Sequence, residues 1–135
     1  MTGEVYYDIV YLTKEITGKG DDGLSIAADL IRGHTDTIIL AQLISGDSYG
    51  YEINKAIQQK TGGRYELKEA TLYSAFRRLE EAGYIYSYWG DETTGARRRY
   101  YRITEAGKDT YLQLMKDWKI AKAMIDSLIE SEVGE

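Results

Sequence analysis

The sequence contains no cysteine, no proline and a single histidine, His34. Without cysteine there is no disulfide framework, no thiolate metal site and no cysteine nucleophile. One histidine also excludes a histidine-rich metal centre, and the chain has no glycine-rich phosphate-binding loop that ends in a lysine. We therefore expect no enzyme activity, no bound metal and no cofactor.

Long apolar runs and targeting signals are absent as well. No run approaches the roughly 20 apolar residues that a membrane-spanning helix needs. Residues 1–11 hold no basic residue and no continuous apolar segment, so a secretory signal is not expected. A length of 135 residues suits one ordinary domain, and the mean hydropathy of -0.45 is typical of a soluble protein. We expect a cytoplasmic protein.

The net charge of -5 argues, taken over the whole chain, against a nucleic-acid partner. The charge is unevenly distributed, however. Between Arg64 and Arg102 there are eight Lys and Arg against six Asp and Glu, whereas the rest of the chain carries a net charge of -7. Because salt screens charges beyond about 8–10 Å, the local field decides whether phosphate binds. The middle third is where nucleic acid would bind.

Apolar spacing predicts three helices in the first part of the chain. The segment Leu24–Ile44 has helical periodicity with a break at Gly33, and Ser48 is expected to cap a helix over Tyr49–Thr61. A third helix is predicted over Ala70–Ala82, because its apolar residues recur at positions i, i+3, i+4 and i+7.

The second part predicts a hairpin and one long helix. Two β-rich runs, Tyr84–Trp89 and Arg98–Thr104, flank a polar loop that contains glycine, and Trp89 is expected in the core. A helix is predicted from Glu105 to about Glu132. This order predicts a mainly α-helical chain with a small β-hairpin, a winged helix-turn-helix followed by a C-terminal dimerisation helix. The predicted divisions are an N-terminal extension and linker (1–23), the winged helix (24–104) and the dimerisation helix (105–135).

A winged helix places its third helix in the major groove of DNA and its hairpin against the backbone or the minor groove. Opposite the predicted core face, the third helix carries only donors: Thr71, Tyr73, Ser74, Arg77 and Arg78. Arginine offers a fork of donors that matches guanine or phosphate. In the hairpin, strand alternation points Arg97 and Arg99 to one side and Arg98 to the other. The alternative is that the helix arginines pair with Glu80, Glu81 or other acidic residues on a solvated surface and bind no DNA.

The last helix carries an a/d seam of apolar residues, which predicts a homodimer. The seam consists of Tyr111, Leu114, Trp118, Ala121, Ile125 and Leu128. In a two-fold dimer, Trp118 with Met115 and Ala121 nearby would offer a site for a flat aromatic ligand. The alternative is that Trp118 only fills a core. His34, beside the helix break, is expected to pack or cap rather than to sense pH.

Four motifs follow one another in order along the chain. They are Gly46–Ile53, Glu69–Glu80, Tyr88–Trp89 and Gly95–Gly107. Together, over roughly Leu30 to Ile129, they resemble the PadR family of bacterial transcriptional regulators. The short single C-terminal helix is similar to the subfamily that includes multidrug-sensing repressors. Residues 1–23 lie outside this resemblance.

The resemblance implies a homodimeric repressor on a palindromic operator in double-stranded DNA, released by a small aromatic or drug-like effector. By matching motif positions, the implied DNA contacts are Tyr51, Thr71, Tyr73, Ser74, Arg77 and the three arginines of the hairpin, or wing: Arg97, Arg98 and Arg99. Lys68, just before the third helix, is a further candidate for a phosphate contact. The alternative is a winged-helix module that binds a small molecule or a protein without DNA activity.

Overall fold

The computed structural model describes residues 26–91 and 97–130. Its helices are α1 (Ile26–Arg32), α2 (Thr35–Ile44), α3 (Gly50–Lys60), α4 (Glu69–Glu81) and α5 (Glu105–Ile129). Its strands are β1 (Ser48–Tyr49), β2 (Ile85–Trp89) and β3 (Arg99–Ile103). This order confirms a winged helix-turn-helix followed by a long helix. The predicted extension at 1–23 lies outside the described residues.

The strands form one antiparallel sheet in the order β1-β3-β2. The sequence predicts only the β2–β3 hairpin, because a two-residue strand is too short to show alternation. The prediction that Ser48 caps α3 is wrong. Its backbone is paired with Tyr101 in the sheet, the N-cap residue is Tyr49, and the Ser48 hydroxyl donates a 2.6 Å hydrogen bond to Glu52.

The core lies between the sheet and helices α2, α3 and α4. The core face of α4 is formed by the residues that its spacing predicts, and all four are buried: Leu72, Ala75, Phe76 and Leu79. The Phe76 ring stacks on Tyr101 of β3 with centroids 3.9 Å apart. Burying one such ring contributes about 2–3 kcal/mol to stability, so α4 is held firmly against the sheet.

Two glycines fix the path of the chain around α4. A Cβ atom on Gly50 would lie 2.7 Å from the Tyr73 hydroxyl and 3.3 Å from a Leu72 methyl group, so glycine at this position lets the Tyr73 side chain pack against the start of α3. Gly83 follows the end of α4 with φ of 82°, a left-handed conformation that glycine adopts without steric cost. The sequence-based stop at Gly83 is therefore confirmed.

Trp89 is not a core residue, and that prediction is wrong. Its side chain is 52% exposed, whereas Ile85 at the other end of β2 is buried. The reason is geometric, since only the first part of β2 covers the core and Trp89 lies at the end of the strand nearest the hairpin tip.

Candidate nucleic-acid interface

The outer face of α4 presents the predicted donors to solvent. Tyr73, Ser74 and Arg77 are exposed, and Thr71 is half-buried. Lys68 is the N-cap residue of α4 and is also exposed. The helical repeat of 3.6 residues separates these side chains from the buried apolar face. The solvent-facing side of α4 therefore carries hydroxyl and guanidinium groups.

A shallow groove of about 430 Å³ separates α3 from the start of α4. Tyr51, 66% exposed, lies on the rim of this groove, and the Lys55 ammonium is 5.6 Å from the centroid of the Tyr51 ring. The groove also brings Tyr73 next to α3. Tyr51 and Tyr73, which lie 22 residues apart, thus belong to one surface.

The segment leading into α4 is anchored by a side chain that the sequence analysis missed. Asn54 of α3 donates a 2.7 Å hydrogen bond to the Leu67 carbonyl and accepts a 2.8 Å bond from the Leu67 amide. This pair of bonds fixes the residue just before Lys68. An amide spaced 13 residues from its backbone partner leaves no local signal in the sequence.

Arg77 and Arg78 point to different neighbours. Arg77 is exposed, but Arg78 forms an ion pair with Asp36 in the first turn of α2, with 2.5 Å between Arg78 Nη2 and Asp36 Oδ1. The hydrogen bond to Asp36 raises the pKa of Arg78 above its ordinary value. Arg78 thus pairs with an acid other than Glu80 and Glu81, and it links α4 to α2.

The wing arginines divide as strand alternation predicts. The guanidinium carbons of Arg97 and Arg99 lie 5.3 Å and 5.6 Å from the centroid of the Trp89 ring, whereas Arg98 lies 4.9 Å from the centroid of Tyr49. Arg97 and Arg99 therefore share one side of the hairpin, and Arg98 lies on the other.

The opposite face of the sheet carries a cluster of tyrosines that the sequence analysis did not single out. Tyr88 stacks on Tyr100 at 5.7 Å between centroids, and Tyr49 meets Tyr100 edge to face at 5.3 Å. The Tyr88 hydroxyl donates a hydrogen bond to Asp47, which raises the pKa of Tyr88 to about 12. Because Tyr88 is a surface side chain, this bond orients the ring without adding much stability.

The first half of the predicted seam on α5 packs within the chain. Tyr111 and Leu114 lie against the winged-helix core. Trp118, 41% exposed, meets the His34 ring edge to face at 4.9 Å between centroids. His34 is the N-cap residue of α2, is exposed and makes no side-chain cap hydrogen bond, so its ring contact with Trp118 is the packing role expected of it. Around this pair lies an open cleft of about 520 Å³ between α5 and the α1–α2 junction, and Ala121 is on its wall.

Met115 lies outside that cleft. It accepts a 3.4 Å hydrogen bond at Sδ from the Tyr111 hydroxyl. The predicted effector residues are therefore only partly together, with Trp118 and Ala121 on one wall and Met115 one turn away along α5. His34 and Asp36 complete the cleft from α2, 82 or more residues away in sequence from Trp118.

The second half of α5 leaves an apolar strip uncovered. Ile125 is 46% exposed and Leu128 is 81% exposed. Further exposed apolar residues on this helix are Leu112, Ile120, Met124 and Ile129. A helix of 25 residues is about 37 Å long, and a chain seldom leaves so much apolar helix surface in water.

Across residues 26–91 and 97–130, no cluster of acidic or histidine side chains has the arrangement of a metal site. Within the same ranges, no helix is both long and apolar enough to cross a membrane.

Residues 39–113 match the model of a family described as the transcriptional regulator PadR-like family. The fold is similar to the structure of a transcriptional regulator from Clostridium thermocellum, with 55% sequence identity and a TM-score of 0.69, over 75% of this chain and 95% of that one. It is also similar to a PadR family transcription regulator from Clostridium difficile, with 35% identity and a TM-score of 0.62, over 71% of this chain and 98% of that one.

Among curated proteins, the chain is similar to the negative transcriptional regulator PadR of Bacillus subtilis. The two are 26% identical over 94 residues, which make up 70% of this chain and 50% of that protein. This chain therefore spans about half the length of that regulator. The family and these similar proteins are transcriptional regulators and not enzymes.

Proposed function

Because the chain belongs to the PadR-like family of transcriptional regulators, we propose that it is a cytoplasmic, homodimeric repressor that binds a two-fold symmetric operator through α4 and the wing. The observation that carries this proposal is the surface shared by α4, α3 and the hairpin. Its exposed side chains include the donors and cations of α4, α3 and the wing, together with Glu66 and Glu69 at the groove between α3 and α4, although the whole chain is acidic. The name of the Bacillus subtilis relative, a negative regulator, supports the repressing sense of the response.

The proposed contacts fall into two groups. Ser74 and Arg77, with Tyr73 and Thr71, enter the major groove, where arginine forks match guanine and hydroxyls reach base edges or phosphates. Lys68, Tyr51 and the wing cations Arg97 and Arg99 bind the backbone on either side. Arg78 reaches a flanking phosphate only by leaving Asp36, and Arg98 lies on the side of the hairpin away from Arg97 and Arg99, so we expect both to contribute less.

Selection from a pool of random 40-base-pair duplexes tests this proposal. We expect the protein to enrich duplexes with two inverted half-sites whose centres are about 34–36 Å apart, because a dimer presents two copies of α4 one helical turn apart. Failure to enrich any sequence, even at 50 mM salt, would favour the winged-helix module without DNA activity.

The proposal also includes the homodimer contact and the small-molecule effector. The exposed strip on the C-terminal half of α5 supplies the dimer contact through Ile125 and Leu128, and Trp118 and Ala121 lie where this contact would meet the cleft beside His34. A flat ligand stacked on Trp118, with Met115 nearby, would favour one spacing of the two α4 helices. Ligand binding then lowers the affinity for the operator by the same factor by which operator binding lowers the affinity for the ligand.

We expect Trp118→Ala to weaken binding of a planar aromatic probe such as 7-hydroxycoumarin by about 10-fold or more, because a stacking face of about 0.5–1.5 kcal/mol and its apolar area are lost. Fluorescence anisotropy of the probe measures this, with Leu112→Ala, an exposed apolar position on another side of α5, as the matched control. Equal affinities of the Trp118→Ala variant and the unmodified protein would mean that Trp118 only fills a packing position.

A further inference from the structure

Trp89 is a large aromatic residue left 52% exposed at the end of β2, yet two cations lie against it. The guanidinium carbons of Arg97 and Arg99 are 5.3 Å and 5.6 Å from its ring centroid, within the range of a cation–π contact. The Trp89 ring therefore makes cation–π contacts with two arginines of the wing.

The pairing of the hairpin builds this arrangement into the backbone. Trp89 and Arg99 are direct cross-strand partners in the β2–β3 register. The Gly90 amide donates a 2.7 Å hydrogen bond to the Arg98 carbonyl, so the pairing continues one step beyond the strands. Arg97, two residues before Arg99, then returns to the side of the hairpin where Trp89 lies.

That side of the hairpin faces α4. Ser87, which shares a strand face with Trp89, donates a 2.8 Å hydrogen bond to Glu80 of α4. Tyr101, which shares a face with Arg99, stacks on Phe76 of α4. These contacts thus lead from α4 to the side of the hairpin that carries Arg99, Trp89 and Arg97.

We propose that Trp89 is a positioning residue for DNA binding, whose ring holds Arg97 and Arg99 on the α4 side of the wing so that both guanidiniums meet the phosphates beside the groove that α4 enters. This inference rests on the proposed function and adds to it the residue that restrains the two arginine side chains of the wing. Long arginine side chains lose rotamer freedom when they bind phosphate. Because the Trp89 ring already restrains them, part of that loss has occurred before DNA arrives.

The test measures affinity for the selected duplex at 150 mM salt with three variants. Trp89→Leu keeps an apolar side chain but removes the π face, and we expect it to weaken binding about 5- to 30-fold, because both arginine side chains must then be ordered when DNA binds. Trp89→Phe restores a ring, and we expect a loss of no more than about 3-fold. Tyr86→Leu, an exposed aromatic residue on the other face of β2, is the matched control and should bind as the unmodified protein does.

A double-mutant cycle separates positioning from a direct contact of the indole with DNA. In a chain that carries Arg97→Ala and Arg99→Ala, Trp89→Leu should cause no further loss, because the ring then has nothing to hold. An equal 5- to 30-fold loss in that background, or unchanged binding of Trp89→Leu in the native background, would overturn the inference and leave the proposed function intact. Failure of the unmodified protein to select any duplex would overturn both.

Discussion

Replacing Ser74 and Arg77 together by alanine should weaken operator binding by about 30- to 1,000-fold while leaving the fold unchanged. A lost bidentate arginine contact costs about 1–3 kcal/mol, and a lost hydroxyl hydrogen bond costs about 1 kcal/mol. Both side chains are exposed on α4, on the side away from Phe76 and Leu79. The core is therefore untouched, and the thermal midpoint should stay within a few degrees of that of the unmodified protein.

The two substitutions also report what Arg77 contacts. If Arg77 reads a guanine, the double variant should lose its preference for the selected duplex over a scrambled one. If Arg77 binds a phosphate, affinity should fall equally for both duplexes, and the salt slope should drop by about one per protomer.

The matched control is Lys122→Ala, which removes one positive charge from α5, far along the chain from the interface. Lys122 pairs only with Asp126 on its own helix, at 3.4 Å among the described ion pairs. A loss of affinity in this control as large as that of the α4 variant would mean that net charge, and not the α4 surface, governs binding.

Glutamates at Ile125 and Leu128 should convert the dimer into monomers. These residues are exposed in the single chain, but in the proposed dimer they are buried against a second copy of α5, and an unpaired buried charge costs several kcal/mol. Analytical ultracentrifugation at micromolar concentration should give the monomer mass of about 15.3 kDa for this variant and twice that mass for the unmodified protein.

The loss of the dimer has a second expected consequence. A monomer reaches one half-site only, so affinity for the two-fold duplex should fall by about 100-fold or more, since the second half-site no longer binds at high effective concentration. Ser127→Glu, an exposed polar position on the same turn, is the control and should stay dimeric. A dimeric Ile125→Glu/Leu128→Glu protein would place the dimer contact elsewhere.

The sequence predicts the fold well where the signal is local. The apolar spacing of α4 gives its four buried residues, and two β-rich runs around a polar loop give the hairpin. The sequence does not predict an element that depends on partner residues distant along the chain. The β1 strand exists only because Ser48 and Tyr49 meet Tyr101 and Tyr100 across the fold.

The same limit applies to the site. Exposed donors at α4 follow from helical periodicity, but the Asp36–Arg78 ion pair spans 42 residues and has no local pattern. Trp89 looks like a core residue because aromatic residues usually are buried, and only the position of the strand end shows otherwise. The heptad seam on α5 does not reveal which helix covers it, and Tyr111 and Leu114 pack within their own chain.

The dependence of duplex affinity on salt shows whether the cations of α4 and the wing bind DNA phosphates. Three exposed cations per protomer, Lys68, Arg97 and Arg99, would meet phosphates in the proposed complex, and Arg77 would be a fourth if it binds a phosphate instead of a guanine. At about 0.9 per neutralised phosphate, a dimer should give a slope of about -5 to -7 in a plot of log K against log salt concentration, with one dimer bound per duplex. A slope between 0 and -1, or no complex at 50 mM salt, would mean that this surface does not bind DNA.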